Sequence, residues 1–242
     1  MSFSIIIPSK SASNLVPCIR AIREAGERTR IIVVDDGVDW EAFVVDQKEY
    51  IGPCETVRGE KPFCFARNVN IGIRAAGDDD VILLNDDALL KTPLGFAMMS
   101  RPPEWMPGFG LIAAACNTVG NPNQYSQTGD RLRDEPRMVC FVCVYIPRST
   151  INAVGLLDER FVNYGMDDDD YSLRVRNAGL KIGIFDGCFV DHGSLTSSYR
   201  GADNGGGKGG DYRPNMKLFI DKWGFDNRGL GKARSPFKAL FP

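Results

Sequence analysis

Ile31-Ile32-Val33-Val34-Asp35-Asp36-Gly37 is the stretch that decides the fold. Four consecutive β-branched apolar residues leave no polar face, so the run reads as a strand covered on both sides, the kind found in parallel sheets. Asp-Asp-Gly then ends it with turn chemistry. The pattern recurs to either side. Upstream, Ser4-Ile5-Ile6-Ile7-Pro8 is a short apolar run stopped by proline, followed by helical periodicity through Leu15, Ile19 and Ile22. Downstream, Asn68 to Ala76 reads as a helix with Val69, Ile73 and Ala76 on one face. It ends at Gly77, ahead of a third run, Val81-Ile82-Leu83-Leu84, closed by Asn85-Asp86-Asp87. Apolar strands alternating with helices imply βαβ units, an α/β class and a Rossmann-like, mostly parallel central sheet flanked by helices.

Beyond a punctuated connection at Arg101-Pro102-Pro103 to Pro107-Gly108, strands are expected over Leu111 to Ala115 and Met138 to Ile146, separated by a polar loop near Gly120 to Asp130. Asp167 to Asn177 reads as a helix with aspartates in its first turn and Gly179 as its stop. Two short strands are expected over Lys181 to Phe185 and Cys188 to Val190, then a last helix over Pro214 to Trp223. Gly201 to Gly210 holds six glycines in ten residues and reads as a hinge or mobile loop.

Composition narrows the function. The chain has 242 residues, 29 Lys plus Arg against 31 Asp plus Glu, and a formal charge of -2. That balance gives no electrostatic case for nucleic acid. No apolar run reaches the roughly 18 residues of a membrane span. Met1-Ser2-Phe3-Ser4 lacks a basic stretch, which argues against a secretory signal. Seven cysteines, an odd number mostly inside apolar segments, read as reduced thiols of a cytoplasmic protein. Cys140 and Cys143 form a CxxC, but no second Cys/His pair stands at zinc spacing.

The acids are lopsided, with 22 Asp and only 9 Glu, and eleven of the Asp fall in four clusters: Asp35/Asp36, Asp78 to Asp80, Asp86/Asp87 and Asp167 to Asp170. Two clusters follow parallel strands at their carboxyl ends, the edge where ligands bind in open α/β sheets. Asp35/Asp36 and Asp86/Asp87 should therefore converge on one crevice. Asp78 to Asp80 precedes a strand and reads as a solvated turn. One or two aspartates would suffice to cap the helix beginning at Asp167, whereas four adjacent like charges suggest a further role. His192 is the only histidine; a lone His is more often structural than a ligand.

In order along the chain, Ser4-Ile-Ile-Ile-Pro8, Ile31 to Gly37, Arg67-Asn68 with Asn70-Ile-Gly72, and Leu83-Leu-Asn-Asp-Asp87 resemble family 2 glycosyltransferases of GT-A fold. Gly155-Leu-Leu-Asp-Glu-Arg-Phe161, Tyr164, Asp167 to Asp170, Leu173-Arg174, Gly179 and Asp191-His192 continue the likeness through about residue 197. The resemblance implies one GT-A domain over residues 1–242. Residues 1–100 would form the nucleotide-sugar half and 101–200 the acceptor and catalytic half, with a small antiparallel acceptor-side sheet. Residues 201–213 would be a flexible loop and 214–242 a C-terminal helix and tail. It implies donor binding by Pro8, Ser9, Asp35, Asp36, Arg67, Asn68, Asn85 and Asp86. Asp87 and His192 would hold Mn²⁺ or Mg²⁺, with Asn85 standing where the family's Asp-x-Asp motif begins. Asp168 would be the general base and Asp167 its partner, with Tyr164 and Asp170 on the acceptor side; a register one residue later makes Asp169 the base. Asp167 replaces the family's Glu, which puts the acceptor contact of that position in question. The implied reaction is inverting transfer of one sugar from a nucleoside-diphosphate sugar to a hydroxyl acceptor. Processive synthesis is not implied, because the Gln-x-x-Arg-Trp signature is absent.

Arg200 and Lys208 flank or occupy the glycine-rich segment and are candidates for a lid on the diphosphate, against a plain linker. The segment from Asn117 to Arg137, with Asn123, Gln124, Tyr125 and Arg131, is a polar candidate acceptor wall by position. A phosphatase of haloacid-dehalogenase type fails because Asp35 and Asp36 are adjacent rather than one residue apart. A sugar nucleotidyltransferase usually needs a glycine-rich basic loop after the first strand, where Pro8 to Ser13 has one Lys and no Gly. A nucleotide-sugar-binding module without turnover is the non-enzymatic alternative. Donor sugar, acceptor and oligomeric state are not legible.

Overall fold

The computed structural model describes residues 2–40, 54–101, 107–162, 164–197 and 211–226. Strand β1 (Phe3–Ser9) leads to helix α1 (Ala12–Glu24), β2 (Ile31–Asp35), β3 (Glu55–Arg58), α2 (Phe65–Ala75) and β4 (Asp80–Leu84). A two-residue strand β5 (Leu89–Leu90) and a short helix α3 (Gly95–Met99) follow. The second half holds β6 (Phe109–Cys116), β7 (Leu132–Asp134), β8 (Cys143–Ile146), α4 (Arg148–Val154), α5 (Asp167–Asn177), β9 (Lys181–Asp191) and α6 (Arg213–Trp223).

All nine strands join one sheet in the order β3-β2-β1-β4-β8-β6-β9-β5, with β7 also on β9. The β3-β2-β1-β4 half is parallel throughout, as the apolar runs require. The antiparallel pairs lie on the other side, as expected, but within the same sheet rather than a separate small one. Helices cover both faces. Ile5, Ile7, Ile31 and Val33 point to the face packed by Leu15, Ile19 and Ile22 of α1. Their neighbours Ile6, Ile32 and Val34 point to the face packed by Val69 and Ile73 of α2 and Tyr171 and Val175 of α5. Two-residue alternation thus feeds two cores, which is why the runs Ile5 to Ile7 and Ile31 to Val34 carry no polar position.

Several boundaries differ from expectation. Pro8 does not stop β1, which runs on to Ser9 and keeps its register against Val34 and Asp35. The helix expected from Asn68 begins at Phe65, so Arg67 and Asn68 lie in its first turn. Only Cys143–Ile146 of the expected 138–146 strand pairs as one. Val139 N instead donates to Ser172 Oγ (3.3 Å) and Cys140 N to Gln124 Oε1 (2.5 Å), so side chains replace the ladder. The two strands expected over 181–190 are one, β9, carried past Asp186-Gly187 by a register shift against β6. The Asp78 to Asp80 turn is not simply solvated. Asp80 is buried at the start of β4, taking the Tyr145 hydroxyl (2.6 Å) and Arg148 N (2.7 Å), while Asp79 takes the Ser2 and Ser4 hydroxyls. Of the C-terminal calls, Arg200 and Lys208, residues 201–210 and the tail from 227 lie outside the described residues.

Candidate active site

Because β1, β2 and β4 run parallel, their carboxyl ends share one edge, and Ser9, Asp36 and Asp86 meet there. Ser9 Oγ donates to Asp86 Oδ2 at 2.7 Å, and Asp36 N donates to Ser9 O at 2.8 Å. Ser9, Asp36 and Asp86 are all buried. The convergence read from sequence is present.

The two aspartates after β2 have different tasks. Asp35 folds its own turn, accepting Gly37 N (2.8 Å), Val38 N (2.7 Å) and Trp40 Nε1 (2.6 Å). Burial opposes its charge, but those hydrogen bonds prevail and hold its carboxyl below the usual range. Asp36 keeps an oxygen in reserve. Lys61 Nζ stands 2.9 Å from Oδ2 and donates to the Asp36 carbonyl at 2.7 Å, while buried Oδ1 has no hydrogen-bond partner. A buried carboxylate oxygen without a donor is costly unless a ligand supplies one.

Arg67 and Asn68 support this edge from behind. Asn68 is fully buried and its Oδ1 accepts Glu60 N (3.1 Å), fixing the loop between β3 and α2. Arg67 lies 3.7 Å from both Glu60 and Glu159 carboxylates. These contacts make Asn68 a loop anchor through Oδ1, while its buried Nδ2 has no hydrogen-bond partner.

Asp87 and His192 are distant in sequence, and β5 brings them together. Leu89 pairs with Asp191 and Leu90 with Val190 in antiparallel register, so the chain after β4 and the end of β9 lie side by side. His192 Nε2 is 3.3 Å from Asp87 Oδ1, with both side chains nearly buried. His192 Nδ1 is 2.7 Å from the Thr118 carbonyl. That carbonyl can only accept, so Nδ1 carries a proton and Nε2 is the ring nitrogen that faces Asp87. The backbone around the ring is equally fixed. His192 N donates to Asn117 Oδ1 (2.9 Å), and Asp191 accepts Asn117 Nδ2 (2.8 Å), Gly193 N (3.0 Å) and the Ser194 hydroxyl.

This donor pair fits a divalent ion. Carboxylate oxygen plus imidazole nitrogen suits Mn²⁺, and neighbouring ligands on one ion stand about 3 Å apart. Among the described residues no group of three or more His, Cys, Asp and Glu could hold a metal. Asp87 and His192 are the two donors that this edge brings within reach of one ion.

The third cluster begins α5. Gly165 (φ 78) and Met166 (φ 72) both take left-handed backbone just before Asp167, and Met166 lacks the glycine's freedom to do so. Asp168 Oδ1 accepts Asp169 N at 2.9 Å. Burial, then the like charges of Asp169 and Asp167, push the Asp168 carboxyl well up. Burial chiefly, with repulsion from Asp169 and Asp170, raises Asp167 to about 7. The Cys140 thiol is itself raised by burial and by the adjacent Asp168 charge. Cys140 belongs to the segment whose Val142 carbonyl accepts Asn85 N at 2.9 Å. The start of α5, the lead into β8 and the end of β4 therefore line one edge.

Asp170 is a correction. It is fully buried and ion-paired to Arg174 (3.0 Å) and Lys222 (2.7 Å), so it faces the interior, not an acceptor. Of the candidate acceptor wall, Gln124 is also fully buried, with its amide engaged by Cys140, and Asn123 bonds Glu135. Tyr125 and Tyr164 are exposed. Sequence reasoning missed Lys61, and missed that Asn117 and Thr118 hold the His192 loop. Only the Asp191-His192-Gly193-Ser194 run, with its turn-forming Asp and Gly, signalled that the His192 loop would be fixed.

A sheet wound on both faces with an acidic carboxyl edge is a nucleotide-binding architecture. Residues 4–93 match the sequence model of Glycosyl transferase family 2. The fold agrees, being of GT-A type. A crystal structure of GalNAc-T7 with UDP, GalNAc and Mn²⁺ superposes with TM-score 0.65 at 16% identity, over 79% of this chain and 44% of that one. Staphylococcus aureus TarS gives TM-score 0.58 at 12% identity over 78% of this chain and 36% of TarS. Its 1–349 fragment gives 0.56 at 12% identity, over 78% and 60%. The chain thus spans about half the length of these proteins. No curated protein matches the sequence. Among the described residues no helix is long and apolar enough to cross a membrane.

Proposed function

We propose that this chain is a metal-dependent, inverting glycosyltransferase that moves one sugar from a nucleoside-diphosphate sugar to a hydroxyl acceptor. The observation that carries the reading is the convergence of Asp36, Ser9–Asp86 and Asp87–His192 on one sheet edge, with Asp168 on the same side. Asp36 accepts hydrogen bonds from the nucleoside through Oδ1. Ser9 holds Asp86 in place at the crevice floor. Asp87 and His192 would hold Mn²⁺ or Mg²⁺. When bound, that ion offsets charge on the departing nucleoside diphosphate.

Asp168 takes the proton from the acceptor hydroxyl as that oxygen attacks the anomeric carbon from the face opposite the diphosphate. A single displacement needs one base and inverts the centre. Burial among like charges raises the Asp168 carboxyl, which makes its carboxylate a stronger base. Asp167 sits beside it, and exposed Tyr164 supplies an acceptor-facing ring. Seven free thiols favour a reducing compartment, the cytoplasm.

The test is a thermal-shift screen of nucleotide-sugars with and without Mn²⁺, followed by nucleoside diphosphate release with candidate acceptors. Metal-dependent stabilisation by one donor supports the reading. A donor that binds equally well after chelation, or products that retain the anomeric configuration, would count against it.

A further inference from the structure

Helix α6 grips the chain on both sides of Asp168. At its first turn Asn215 Nδ2 donates to the Gly165 carbonyl at 2.7 Å. At its last turn Lys222 Nζ stands 2.7 Å from Asp170 Oδ1, and Trp223 Nε1 donates to the same oxygen at 2.9 Å. Gly165 and Asp170 bracket Met166 to Asp169. Between the two grips, Phe219 packs in a cluster with Met166, Phe161 and Leu173. Lys222 also reaches Asp158 Oδ2 (2.8 Å), and Arg174 joins Asp170 to the Val154 and Leu156 carbonyls (3.0 and 2.9 Å).

Two physical features make such a grip necessary. The backbone turns into α5 through consecutive left-handed residues, one of them Met166, and such a turn persists only where its surroundings impose it. Four adjacent aspartates repel one another, and the buried Asp170 carboxylate is paired with Arg174 and Lys222. A helix held only for stability could dock on any face of α5; this one binds the residues flanking the proposed base.

We propose that α6 is a clamp on the catalytic turn, with Asn215, Lys222 and Trp223 as positioning residues that set the placement of Asp168 and the charge around it. This rests on the assignment of Asp168 as the base. The charged and titratable groups about that turn are Asp167, Asp169, Asp170 and Arg174 on α5. Asp158, Glu159 and Arg160 come from the preceding loop, Cys140 and Cys64 from the segments before β8 and α2, and Lys222 from α6. Lys222 is the cation that α6 itself contributes to Asp170.

The experiment compares the full chain with Lys222→Met, Lys222→Arg, Trp223→Phe and Asp168→Asn, measuring kcat, donor KM and the pH profile of transfer at a temperature where circular dichroism shows each folded. Lys222→Met removes a cation and should move the acidic limb of kcat/KM upward by about half a unit to one unit. Lys222→Arg should restore it. Trp223→Phe keeps the charge and should lower kcat about tenfold with donor KM and the limb unchanged. Should Lys222→Met not fold, Trp223→Phe decides. If both variants stay within about twofold of wild type in kcat and limb while Asp168→Asn is inactive, α6 does not position the base. If Asp168→Asn still transfers sugar, the base assignment falls, and this inference with it.

Discussion

Asp168→Asn should remove transfer and, at neutral to alkaline pH, make the protein more stable. Ionised Asp167 and Asp168 sit together in a poorly solvated turn, and burial and mutual repulsion raise both carboxyls. Burial, then the charges of Asp169 and Asp167, oppose ionisation of Asp168. The side chains are only partly covered, so solvent screening reduces the relief from losing one charge to about 2 kcal/mol. The sign follows from linkage. Between the ordinary carboxylate range and the raised folded value, the folded chain holds protons that the unfolded chain has released, so stability falls as pH rises through that window. Below about pH 4 both states are protonated and the gain disappears. Urea denaturation of the two proteins at about pH 8 and pH 5 measures it directly, and the variant should gain more at the higher pH. Transfer should fall about 10²- to 10⁴-fold, with donor affinity by calorimetry nearly unchanged. A variant less stable than wild type at alkaline pH, or an equal gain at both pH values, would show that the turn holds its charges without cost.

Three further outcomes are expected. His192→Ala should weaken Mn²⁺-dependent donor binding by about tenfold or more in calorimetry while leaving metal-free nucleotide binding unchanged, because the ring is one of the two ligands proposed for the ion, beside Asp87. Ser9→Ala leaves the buried Asp86 carboxylate without its 2.7 Å donor, and should lower stability by about 1.5 to 3 kcal/mol in urea denaturation. Gly72→Ala places a methyl 2.3 Å from Ile6 Cγ2 where α2 meets β1, and should cost about 1 to 3 kcal/mol or prevent folding, read by the same denaturation curves.

The sequence by itself determined the parallel half of the sheet and the edge on which its crevice lies. Runs such as Ile31 to Val34 have no polar position, so they can only lie buried between two layers, and the residues that end them must share an edge. Local chemistry also marked the start and stop of α5 and the turn after β2. It could not separate the tasks of neighbouring aspartates, because one-residue steps on a turn or helix point side chains in unrelated directions. Tertiary structure decided that Asp35 folds its own turn while Asp36 keeps an open oxygen. It decided that Asp170 turns inward to Lys222 and Trp223 although Asp167 and Asp168 lie against the edge. The pairing of Asp87 with His192 depends on two residues of β5 adding to β9, a contact between distant segments with no periodic signature. The grip of α6 on the catalytic turn is of the same kind. Long-range pairing and side-chain direction carry no local pattern, and at this site they assign each aspartate its work.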